Sequence, residues 1–122
     1  MKHLVVSLQT AMQLRAHGFT QETYFCYTKG SQDREYFVSP SHTAFAFDDE
    51  WYAAPMAEEI LNQIKIYVTT ITLPNDINET YLLVVELYEN GNMTEFSYQT
   101  MRYSLAEAAG EMWLYLKENI LL

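Results

Sequence analysis

The chain is poor in positive charge: seven Lys and Arg stand against sixteen Asp and Glu, leaving a formal net charge of −9 over 122 residues. Nucleic-acid binding through phosphates needs clustered cations that displace counterions. Here Lys2, Arg15, Lys29, Arg34, Lys65, Arg102 and Lys117 are scattered, so direct nucleic-acid binding is not expected and the acidity reads first as a solubility device. There is one cysteine, Cys26, inside "YFCYT". It has no intrachain partner for a disulfide, it reads as a small buried hydrophobe on a strand, and it points to a reducing compartment. Long apolar runs are missing too. "LVVSL" after Lys2 is broken by Gln9, Thr10 and Gln13, short of a signal-peptide core, and nothing approaches a membrane span. A soluble cytoplasmic protein with no membrane contact is the expectation.

Glycine is scarce as well, at positions 18, 30, 91 and 110 only, and none belongs to a phosphate-cradling loop or precedes a Walker lysine. The three histidines, His3, His17 and His42, fall in three separate segments without metal-ligand spacing, and no nucleophile elbow accompanies the Ser41-His42 pair. No cofactor, metal or catalytic residue is therefore assigned. A site assembled from dispersed residues stays open as one reading, since lack of a motif does not exclude an enzyme.

What is present is a sequence of well-marked elements. Ser7 is a good N-cap for a helix running through Leu8, Ala11 and Met12 and ending at Gly18. "TYFCYTKG" and "REYFVS" flank a Gly-Ser-Gln-Asp turn and read as a hairpin, which "TAFAFDD" could extend. A second helix starts at Pro55, with Met56, Ile60, Leu61 and Ile64 on one side and Glu58, Asn62 and Lys65 opposite. "IYVTTITL", "TYLLVVELY" and "MTEFSYQTMRY" then read as three strands of an antiparallel meander, the second central and the last two joined by Asn90-Gly91. Ser104 and Glu107 form a capping box that opens the last helix. The expected architecture is a single α+β domain over residues 1–122, an antiparallel sheet of about five strands covered by three helices in the order α-β-β-α-β-β-β-α. By surface scaling, a chain of this mass buries about two-thirds of its surface, enough for a core without disulfides or metal.

The stretch "DDEWYAAPMAEEIL" gathers Asp48, Asp49, Glu50, Glu58 and Glu59 around Trp51 and Tyr52. It lacks a histidine at ligand spacing and the alternating acids and glycine of a calcium loop. Carboxylates at a helix start interact favourably with its unpaired N–H groups. The cluster is read as the start of the second helix, with Glu58 and Glu59 directed largely outward.

Aromatics are abundant: ten Tyr, six Phe and two Trp. They suit a half-buried pleated surface, and they are also favoured at interfaces. On the helical wheel Leu114 projects from the polar side of the last helix, next to Tyr115 and near the apolar tail. The candidate interaction surface accordingly comprises Trp51, Tyr52, Leu114, Tyr115, Leu121 and Leu122, with Leu114 by itself an ordinary exposed leucine.

The stretches "VVSLQTAMQLRAHGFTQETYFCYT", "YAAPMAEEILNQI" and "YSLAEAAGEMWLYLKENILL", in that order, resemble small uncharacterised proteins carried by bacterial phages and other mobile elements. The resemblance covers most of the chain and implies an origin among such genes. It brings no activity, cofactor or catalytic residue. The leading expectation is a non-enzymatic interaction module contacting a protein partner or a second copy of itself. The alternatives are an acidic mimic of nucleic acid that blocks a basic host protein, and an enzyme with a dispersed site.

Overall fold

The computed structural model describes residues 4–29, 35–41, 51–64, 68–72, 81–89, 92–102 and 104–119. These form helix α1 (Leu8–Ala16), strands β1 (Phe25–Lys29), β2 (Tyr36–Pro40) and β3 (Tyr52–Ala53), helix α2 (Ala57–Ile64), strands β4 (Val68–Thr72), β5 (Tyr81–Glu89) and β6 (Asn92–Arg102), and helix α3 (Leu105–Glu118). The class is α+β with antiparallel pairing, as expected. The expected single sheet is instead two sheets among the described residues, with strand orders β2-β1-β3 and β4-β5-β6. The additional strand is the two-residue β3, which comes from the aromatic step before α2 and pairs Tyr52 with Tyr27 and Ala53 with Cys26. So short a strand has no periodicity of its own and is created by its neighbour.

The hairpin and the meander both form. β1 pairs with β2 antiparallel, from Phe25 opposite Pro40 to Lys29 opposite Tyr36. β5 lies between β4 and β6, and the β5–β6 register closes with Glu89 opposite Asn92. The turns at 30–33 and 90–91, and the "TAFAFDD" stretch, lie outside the described residues.

Helix α1 begins and ends as its sequence directs. The Ser7 hydroxyl accepts from the Thr10 N–H at 3.3 Å. At the other end Phe19 N–H donates to Leu14 C=O at 2.9 Å and Gly18 N–H to Arg15 C=O at 3.1 Å. That pair is the Schellman arrangement, with Gly18 at φ 91° and buried Leu14 and Phe19 as its apolar clasp. Met12, expected on the inner face, is exposed, and Ala11 and Leu14 are the buried residues of the helix.

Helix α2 starts at Ala57 rather than at Pro55. Pro55 sits just ahead of it, buried, and its carbonyl accepts from Val6 N–H at 3.2 Å. That bond, with the bridge between Val5 and Met56, ties the segment before α1 to the segment before α2. Ile60 and Ile64 are buried and Glu58 and Asn62 exposed, which is the amphipathic division read from the sequence.

The core is organised around α3, which packs on α2, α1, β5 and β6. Ala106, Ala108, Ala109, Gly110, Met112, Trp113, Leu114 and Leu116 are all buried, so the helix is enclosed almost all round. Trp113 meets Phe19 edge to face with centroids 5.1 Å apart, and its ring N–H donates to Gln63 Oε1 at 3.1 Å. Gly110 permits the closest approach: a Cβ there would lie 3.0 Å from Thr10 Cγ2 and 3.2 Å from Val6 Cγ1.

Candidate interaction surface

Trp51 and Tyr52 precede α2 and are both half-buried. Tyr52 is held on β3 with its ring 5.7 Å from that of Tyr36, at an interplanar angle of 55°. The Arg15 guanidinium lies over the Tyr52 ring at 5.2 Å, and Arg15 Nη1 donates to the Trp51 carbonyl at 2.6 Å. On the other side Lys29 Nζ stands 4.7 Å above the Tyr36 ring. The result is an ordered row of cation, ring, ring and cation across one face of the first sheet. Each cation is drawn to a ring face by the ring quadrupole. This places two of the chain's seven cations against aromatic rings.

Of the other candidate residues, Leu114 and Tyr115 belong with the core. Leu114, expected at the surface, is only 9% exposed and belongs to the core cluster. The wheel position of Leu114 is correct, but the polar side of α3 is partly covered, with Glu107 and Glu111 half-buried and Glu118 exposed. Glu107 and Glu111, which share that side, are turned onto neighbouring elements. Glu111 Oε2 accepts from the Thr100 hydroxyl at 2.8 Å and its other oxygen pairs with Arg102. Tyr115 is half-buried and packs against the core. Leu121 and Leu122 lie outside the described residues.

Within the acidic stretch, Glu59 has the helix-start role read for it. Glu59 Oε1 accepts from Met56 N–H at 2.9 Å, which is the carboxylate half of a capping box. Its second oxygen accepts from Tyr24 N–H at 3.1 Å, so Glu59 turns inward where an outward side chain was expected. Glu58 is exposed, and Asp48, Asp49 and Glu50 lie outside the described residues. A shallow recess of about 280 Å³ is lined by Glu22, Thr23, Tyr24 and Glu59. Its Glu59 carboxylate is already committed to two backbone donors.

His17 caps α1, with Nδ1 2.9 Å from the Gln13 carbonyl and Nε2 3.7 Å from Glu118. His3 and His42 lie outside the described residues. Among the described residues no group of three or more His, Cys, Asp or Glu is arranged to hold a metal, and no helix is long and apolar enough to cross a membrane. Cys26 is buried on β1, and burial pushes its thiol pKa up.

Sequence reasoning missed Arg15 as the residue that positions Trp51 and Tyr52. Its only local signal was a cation in the last turn of a helix, which the dipole already accounts for. The Tyr52–Tyr36 contact had no local signal, because it depends on both β2 and β3 pairing with β1. Comparison with protein-family models, curated proteins and solved structures finds no match for this chain.

Proposed function

We propose that the protein is a non-enzymatic protein-interaction module of phage or mobile-element origin, working in the cytoplasm. The observation that carries the reading is the row Arg15, Tyr52, Tyr36 and Lys29 with Trp51 beside it. Tyr, Trp and Arg are the residues that dominate binding hot spots, because they offer large rigid area with a polar handle. The intramolecular contacts position these rings in advance, which lowers the entropy lost on docking. The origin rests on the resemblance of three stretches covering most of the chain.

The test is affinity capture from a host lysate with the wild-type protein and with a Tyr52→Ser variant shown to be folded. A partner retained by the wild type and lost by the variant is expected. Equal capture by both, or none by either, removes the support for this surface. The acidic-mimic reading is favoured by the net charge of −9 alone. It requires a basic partner released at high salt, whereas an aromatic interface holds.

A further inference from the structure

The recess lined by Glu22, Thr23, Tyr24 and Glu59 brings the segment before β1 against the first turn of α2. Tyr24 is 72% exposed, more than any other large apolar side chain among the described residues. Its phenol makes no hydrogen bond and no ring contact among those residues. Glu22 is exposed as well, and among the described residues its carboxylate meets no donor and no cation. Glu59 is held by the Met56 and Tyr24 N–H groups. Those donors are neutral, so the charge of Glu59 stands uncompensated, and each of its oxygens keeps a second acceptor position.

The chain engages two other tyrosine rings with its own cations: Arg15 lies 5.2 Å from the Tyr52 centroid and Lys29 Nζ 4.7 Å from that of Tyr36. Tyr24 has no such cation among the described residues, although two carboxylates share its recess. A positive group entering there meets an aromatic ring and two negative charges together. The site is also fixed in advance. Tyr24 N–H donates to Glu59 at 3.1 Å and the Tyr24 carbonyl accepts from Ser41 N–H at 2.9 Å, so little backbone ordering is left for binding.

A guanidinium suits this arrangement better than an ammonium, because a planar cation can lie against a ring while its edge donates to carboxylates. At about 280 Å³ the recess is shallow and falls below the roughly 300–1,000 Å³ of small-molecule pockets. It suits the end of a side chain carried on another molecule. The net charge of −9 draws a basic molecule toward it. We propose that the recess receives an arginine side chain of a basic protein partner, with the guanidinium against Tyr24 and paired with Glu22 and Glu59. These residues are distinct from the row of Arg15, Tyr52, Tyr36 and Lys29, and either surface can fail without the other.

The experiment follows backbone-amide NMR signals of the full-length protein during titration with a peptide of alternating arginine and glycine, and with its lysine counterpart. Wild type, Glu22→Gln, Tyr24→Leu and Glu58→Gln are compared, each checked for folding by circular dichroism. The signals of Glu22, Tyr24 and Glu59 are expected to move most, and the arginine peptide to bind more tightly than the lysine one. Glu22→Gln and Tyr24→Leu should each weaken arginine binding about threefold. Glu58→Gln removes the same charge from an exposed position outside the recess and should leave binding close to that of the wild type. No binding by the wild type at the highest soluble peptide concentration overturns the proposal. Equal binding of the two peptides, or Glu58→Gln weakening as much as Glu22→Gln, also overturns it, because attraction is then diffuse. So does binding that Tyr24→Leu leaves unchanged.

Discussion

The side chain of Glu107, in the first turn of the last helix, accepts from the backbone N–H of Ser7, the cap of the first helix, 100 residues earlier. Its other oxygen accepts from the Thr10 hydroxyl at 2.9 Å. Ser104 Oγ meanwhile accepts from Glu107 N–H at 3.3 Å, which is the serine half of the expected capping box, while the carboxylate that would form the other half is given to Ser7 and Thr10. One carboxylate thus joins the N-termini of two helices, where both dipoles favour negative charge. Replacing Glu107 by Ala is expected to lower stability by about 1–3 kcal/mol through the loss of two charge-assisted bonds. Glu107→Gln keeps one acceptor oxygen and should lose less. Urea unfolding curves with unchanged slope would measure both.

Leu114 provides a sharper contrast between wheel and fold. Were it an exposed contact residue, truncation would leave stability unchanged and alter only binding. Because it is enclosed in the core, Leu114→Ala should cost about 2–4 kcal/mol. A thermal midpoint equal to that of the wild type would contradict the packing around α3.

Adjacent glutamates on α2 should behave differently. Glu59 satisfies the Met56 and Tyr24 N–H groups, so Glu59→Ala is expected to cost about 1–2 kcal/mol. Glu58 is exposed, and Glu58→Ala should leave the unfolding midpoint close to that of the wild type. Equal losses at the two positions would mean that only the helix dipole, and not the hydrogen bonds, is at work.

Stability should fall in alkali. Burial raises the Cys26 thiol above its ordinary value of 9.0. Burial, and then the Glu107 carboxylate, raises the Tyr27 phenol above its ordinary value of 10.0. Tyr27 also donates to the Val6 carbonyl at 2.7 Å. For each group the unfolded chain loses its proton first, so the stabilisation is complete below the unfolded value and declines as pH rises toward the folded one. Urea midpoints measured from about pH 7 to 11 should fall as pH rises past the ordinary thiol and phenol values. Cys26→Ala and Tyr27→Phe should each make the decline shallower.

The sequence by itself determined the elements whose signals are local. Ser7 and Gly18 bound α1, Ser104 opens α3, Ile60 and Ile64 mark the inner face of α2, and the β-branched runs pair in chain order as a meander. Caps, turns and periodicity act within a few residues, so one chain segment carries the whole of each signal. Tertiary structure decided the rest. The polar side of α3 became partly enclosed because α1 and β6 supply donors for Glu107 and Glu111, and Leu114 on that side is buried in the core. Tyr52 acquired a strand, a ring partner and a cation only because β1 lies beside β3 and α1 brings Arg15 over it. A helical wheel describes a helix relative to its own axis, and which side faces water depends on how many neighbours surround it.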